Sequence, residues 1–98
     1  MGVDAVLREA RRIAGNAPTY ISFDIDALDP VFAPGTGTPE IGGLATWQMQ
    51  AILRRLKGVQ FAGMDLVEVA PAYDTAEITA LAGATLAWEY LCLLGLRR

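Results

Sequence analysis

Apolar positions recur along the chain at two different periods, and the alternation between them lays out the elements. Val3, Val6, Leu7, Ala10, Ile13 and Ala14 are spaced for one face of a helix, with Arg8, Glu9, Arg11 and Arg12 on the other side. Gly15 stops that helix and Ala17-Pro18 turns the chain. "TYISFDI", residues 19–25, is β-branched, aromatic and nearly continuous in apolarity, as a strand buried on both faces should be. Ala45, Met49, Ile52, Leu53 and Leu56 restore helical spacing, with Thr46 as the expected N-cap and Gly58 as the stop. "VQFAGMDLVEV", residues 59–69, is a second strand of the buried type, and "APAYD" turns the chain again. "DTAE" offers Asp74 as N-cap, with Glu77 placed to complete a capping box for a last helix from about Thr75 to Leu94.

Helix, strand, long loop, helix, strand, turn, helix is the order of an α/β fold with parallel strands and helices on their faces. At 98 residues the chain is one domain. Two parallel strands leave faces and edges uncovered, so the expectation is a slice of a larger sheet.

The loop over residues 27–43, "ALDPVFAPGTGTPEIGG", holds three prolines and four glycines. Ordering so long a loop needs compensating contacts, and such loops usually carry function. It begins among acids. Asp24 and Asp26, at i and i+2 on a strand, would point to one side at the C-terminal end where open α/β sheets bind ligands. Like charges so close repel unless a cation sits between them, and carboxylate oxygens suit a hard divalent ion. An isolated Asp-x-Asp serves equally well as a turn cap, and both readings stand on the residues alone. Asp29 before Pro30 reads as a structural turn acid. Glu68 ends the second strand at the same sheet edge, where a carboxylate can grip a planar guanidinium with two parallel hydrogen bonds. Asp65, deeper in that strand, reads as a structural acid, and Trp47, Trp88 and Tyr90 read as core.

Composition narrows the class. The chain is 53% hydrophobic with mean hydropathy +0.33, rich for so small a globule, so some apolar surface is meant for a neighbour. Net charge is −3 and no basic stripe with interleaved aromatics is present, which argues against nucleic-acid binding. Arg8, Arg11, Arg12 and Lys57 are expected on exposed helix faces, and Arg97 and Arg98 close the sequence. The single Cys92 reads as a buried, reduced thiol of a cytoplasmic protein. "MGVDAVLREA" lacks the apolar run of a secretory signal. The apolar stretch from Ile78 to Leu96, interrupted by Glu89, reads as a core or interface helix rather than a membrane span.

"SFDIDALDPVFAPGTGTPEIGGL" followed by "GMDLVEVAPAYDTAEITALAGATLAWEYL" closely resembles the C-terminal part of the ureohydrolase (arginase/agmatinase) family, nearest its bacterial agmatinase branch. The resemblance runs from the first helix to Leu94. It implies a slice of a three-layer α/β/α sandwich (arginase/deacetylase-like) contributing two strands and three helices. The implied activity is hydrolysis of a guanidinium compound, agmatine to putrescine and urea, with binuclear manganese (Mn2+). It puts Asp24 and Asp26 on metal ligands, Glu68 on the substrate guanidinium, and Thr38 on a loop position beside that glutamate. The implied partners are a small guanidinium substrate and further copies of the chain, or a missing N-terminal half.

The sequence has no histidine, whereas the family's remaining ligands are histidines and aspartates of preceding motifs. The chain therefore carries two of six expected ligands, and the isolated chain is expected to be inactive. Two other readings compete. One is a truncated, non-catalytic oligomerising or regulatory module. The other is a manganese-dependent glycosyltransferase using Asp-x-Asp, in which the "PGTGTPEIGG" loop and Glu68 have no role.

Overall fold

Parallel pairing of two strands organises the chain. The computed structural model describes residues 2–96; Met1, Arg97 and Arg98 lie outside them. Helix α1 (Val3–Ala14) leads into strand β1 (Thr19–Asp24), a 3-10 turn (Ile25–Ala27) and the long loop. Helix α2 (Thr46–Arg54), strand β2 (Phe61–Val67), a second 3-10 turn (Pro71–Tyr73) and helix α3 (Ile78–Gly95) follow. β1 and β2 run parallel, with Ser22 opposite Asp65 and Asp24 opposite Val67. The chain is thus a two-strand, three-helix slice of an α/β sandwich, as the alternation of periods requires.

The core lies on one side of the sheet only. Phe23, Ile25 and Phe61 pack with Leu53 of α2 and with Leu86, Tyr90 and Leu93 of α3. The Phe61 and Tyr90 rings meet edge to face at 5.5 Å. On the opposite face Tyr20 and Ser22 are exposed, so the strands are not buried on both faces. There the Tyr20 and Ser22 hydroxyls donate to Asp65 at 3.0 and 2.6 Å, the structural role expected of that acid.

Other departures share this cause: an apolar pattern marks a surface for burial without saying which segment covers it. Of the apolar face of α1 only Leu7 is buried, while Val3, Val6 and Ile13 are open. Trp47 and Trp88, read as core, are 66% and 61% exposed; Tyr90 is buried. Cys92, read as buried, is also exposed. Arg11 is exposed yet partnered, donating to the carbonyls of Arg55 and Lys57 beyond α2, which lack helical partners.

Two helix starts differ from expectation. Ala45, not Thr46, is the N-cap of α2, and Gln48 Oε1 accepts the Ala45 N–H at 2.8 Å. α3 begins at Ile78 because Ala76 and Glu77 adopt left-handed φ of 51° and 63°. Asp74 still caps it, accepting the N–H groups of Thr79 and Ala80 at 2.9 and 3.0 Å, and no capping box forms with Glu77.

α3 is long and apolar enough to cross a membrane by length and composition alone. Midway along it, however, Glu89 is 4% exposed and paired with Arg54 of α2 at 2.6 Å. The Arg54 hydrogen bond holds the Glu89 carboxyl below its ordinary pKa against the opposing effect of burial. A buried charge met by a neighbouring helix fits a helix packed on protein.

Candidate functional site

Both strands end at the same sheet edge, and the four singled-out site residues lie there or just beyond it. β1 ends at Asp24, so Asp26 sits on the 3-10 turn and not on the strand. The expected i, i+2 placement along one strand face is therefore replaced by a turn. Asp24 Oδ1 accepts the Asp26 N–H at 3.1 Å, capping that turn. Asp26 Oδ2 accepts the Thr38 hydroxyl at 2.7 Å, which joins the aspartates to the long loop. Asp24 Oδ2 and Asp26 Oδ1 make no hydrogen bond among the described residues.

Asp29 closes the base of that loop. Its carboxylate accepts the N–H groups of Val31 at 2.9 Å, Gly42 at 3.0 Å and Gly43 at 3.2 Å. The Val31 bond, then the Gly42 bond, then the Gly43 bond with partial desolvation opposing, set its pKa below the ordinary carboxylate value. Gly43 must be glycine: a Cβ there would lie 2.6 Å from the Asp29 nitrogen. The turn reading of Asp29 thus holds in full.

The loop is fastened a second time near its middle. Gly35 N–H donates to Thr79 Oγ1 at 2.7 Å, and Gly35 C=O accepts the Ala70 N–H at 2.7 Å. Thr79 is fully buried. Burial works against ionisation of the neighbouring Asp74. The Thr79 hydroxyl and the amides of Thr79, Ala80 and Thr75 outweigh it and hold that carboxyl low. Next to this fastening the Thr36 hydroxyl is buried with no partner among the described residues, a rare condition in folded proteins. Gly35, Thr36 and Thr79 escaped sequence reasoning, and the glycine-rich string was the only signal near them.

Glu68 stands one residue beyond the Asp24–Val67 pair. It is exposed, with φ of 72°, and its side chain has no hydrogen bond or ion pair among the described residues. A non-glycine residue in the left-handed region costs about 1–2 kcal/mol, and such strain concentrates at functional sites. Thr38 bonds to Asp26 and not to Glu68, so hydrogen bonding groups it with the aspartates.

The donor set can be weighed directly. The two oxygens left without a hydrogen bond, Asp24 Oδ2 and Asp26 Oδ1, match a hard divalent cation such as manganese in kind. They do not match it in number, since no group of three or more His, Cys, Asp or Glu side chains comes together among the described residues. Asp24 and Asp26 by themselves are too few donors to hold such an ion.

Comparison with known proteins follows the same lines. The model of the Arginase family matches residues 1–92. The guanidinopropionase of Pseudomonas aeruginosa is 57% identical over 94 residues, 96% of this chain and 30% of its own length. An agmatinase of Salmonella paratyphi B is 59% identical over 90 residues, 92% of this chain and 29% of its own. The crystal structure of a hypothetical agmatinase from Burkholderia thailandensis superposes with a TM-score of 0.92 at 55% identity, covering 98% of this chain and 30% of that one. The proclavaminate amidino hydrolase of Streptomyces clavuligerus gives 0.93 at 38% identity, covering 99% and 32%. The chain spans about 30% of the length of the curated relatives it matches.

Proposed function

The chain belongs to the arginase family, and from that premise we propose that it is the segment of a manganese-dependent ureohydrolase that supplies Asp24 and Asp26 to the metal site and Glu68 to the substrate. The observation that carries this reading is the paired exit of β1 and β2. Two aspartates with one free oxygen each stand at one exit, and an unpaired, left-handed glutamate stands at the other.

Each residue has a distinct task. Asp24 and Asp26 offer their free oxygens to the cation, while Thr38 holds Asp26 in place by donating to its other oxygen. Manganese, when bound, supplies Lewis acidity and lowers the pKa of water so that hydrolysis runs near neutral pH. Glu68 takes the guanidinium through two parallel charge-assisted hydrogen bonds. The guanidinium carbon is a poor electrophile, so its orientation by Glu68 matters as much as activation of water. The substrate proposed is agmatine, yielding urea and putrescine in the cytoplasm. The enzyme works as a homo-oligomer, with neither nucleic acid nor membrane as partner.

The test is a chimera in which residues 1–94 replace the matching segment of the Pseudomonas guanidinopropionase. Urea release from guanidinopropionate is expected of the chimera and not of the 98-residue chain alone. A shift of preference toward agmatine supports the narrower substrate. A folded, manganese-loaded chimera that releases no urea from either compound overturns the reading.

One alternative has its own observation. Trp47, Trp88 and Leu91 stand exposed, as they would on a non-catalytic oligomerising or regulatory module. Co-purification of the chain with a complete ureohydrolase, changing its turnover, favours that role.

A further inference from the structure

We infer that Thr79 is a positioning residue for the substrate end of the site, an inference that rests on the functional reading above. Thr38 and Glu68 share no hydrogen bond, yet both must be placed against one small planar group. A single loop residue links their segments. Gly35 donates its N–H to Thr79 at the start of α3 and accepts the Ala70 N–H with its carbonyl. Thr38 follows Gly35 on the loop, and Glu68 precedes Ala70 on the segment leaving β2. Both backbone groups of Gly35 are thus spent on fixing one exit relative to the other.

The knot has no slack. A Cβ on Gly35 would lie 2.8 Å from Asp74 Cβ and 2.9 Å from Thr79 Cβ, so the Gly35 backbone packs directly against the Asp74 and Thr79 side chains. The Thr79 hydroxyl sits at 0% exposure, and no water can replace it as acceptor without a cavity opening. Capping of α3 does not require this hydroxyl, because Asp74 already takes the Thr79 and Ala80 N–H groups. Beyond its bond to Asp74, the hydroxyl adds the hold on Gly35, and through Gly35 on Ala70 and the strained backbone of Glu68.

The chimera described above provides the test, with Thr79→Val, which keeps the shape and removes the hydroxyl, and Thr79→Ser, which restores it. Thr79→Val is expected to raise KM for the guanidinium substrate by about tenfold, since a displaced positioning contact is felt strongly at the reacting group. Bound manganese should be unchanged. Amide exchange should quicken at both Gly35 and Ala70, although Ala70 bonds to Gly35 and not to Thr79. Thr79→Ser should stay within about twofold of the parent in KM, with protection at both amides retained. Should Thr79→Val precipitate, Thr79→Ala carries the same comparison.

A lower Tm with unchanged KM, or equal impairment of the Ser and Val variants, overturns the inference. So does exchange that quickens at Gly35 alone. A parent chimera that folds and binds manganese without turning over substrate sinks the functional reading first, whereas an active parent indifferent to Thr79→Val sinks the positioning role alone.

Discussion

The two strand exits lie side by side and are built on opposite plans. At the β1 exit the three aspartates are tied to their surroundings: Asp24 to the Asp26 amide, Asp26 to Thr38, and Asp29 to three loop amides. Beyond β2 Glu68 holds nothing and is placed by its backbone alone, in a conformation that L residues avoid. The difference separates two ways of preorganising a carboxylate. Carboxylates offered to a cation tolerate hydrogen bonds on one oxygen, since the other stays free for the metal. In the role proposed for Glu68, a carboxylate that takes a guanidinium in both oxygens has to be left unoccupied. Its order must then come from main-chain contacts further along the segment.

The strongest way to break this contrast is at the β1 exit. In the chimera, Asp24→Asn or Asp26→Asn should lower activity by more than about a hundredfold, and bound manganese should fall with it. Full retention of metal would mean that these acids are turn caps after all. Next comes the β2 exit, where Glu68→Gln should keep its manganese and lose about ten- to hundredfold in kcat/KM through the lost charge-assisted pair. Manganese content and kinetics measured on the three variants separate the roles. If Glu68→Gln loses metal as badly as the aspartate variants, the contrast between exits collapses.

A smaller effect belongs to the loop base. Asp29 has a folded pKa below its ordinary value of 3.8. Its contribution to stability is therefore present above that value and disappears as the pH falls through the lowered one. Asp29→Asn should flatten the acid limb of a Tm-against-pH curve while changing Tm little in its dependence on pH near neutrality. An acid limb of unaltered slope would show that the loop base does not respond to this charge. The smallest effect expected is the reverse in sign. Glu68→Gly should raise stability by about 1 kcal/mol, because glycine bears a left-handed φ at no steric cost, while substrate turnover is lost. Calorimetry showing no gain in Tm would indicate that the Glu68 backbone is not strained.

Much of this organisation was legible in the residues. The run "TYISF" and the run "FAGMDLV" carry strands, and their parallel pairing follows from the intervening helix. The acids at the strand ends also announced themselves. Where reasoning failed, the deciding contact lay far away in sequence or outside the chain's reach. Asp26 left the strand because the Asp24 cap tightened the backbone into a 3-10 turn, a local choice that periodicity does not register. Thr79 and Gly35 are 44 residues apart, and no short-range pattern joins them. Trp47, Trp88 and Cys92 were assigned to a core because apolar side chains prefer burial. The described residues include nothing that covers them.

The parallel pairing also orders events in time. Ser22 and Asp65 face each other across the sheet but stand 43 residues apart along the chain. At a synthesis rate of roughly 5–20 residues per second, β1 leaves the ribosome roughly two to nine seconds before its partner. A chain of that length must also close a loop before any strand contact rewards it, which slows pairing further. Protease protection of stalled nascent chains that expose β1 alone, or β1 and β2 together, outside the exit tunnel would read this delay. For that interval β1 is an unpaired apolar segment, open to aggregation or capture by a chaperone; the aspartates at its end can find the Asp26 amide and Thr38 locally, but the fastening of their loop through Gly35 waits for Ala70 and Thr79.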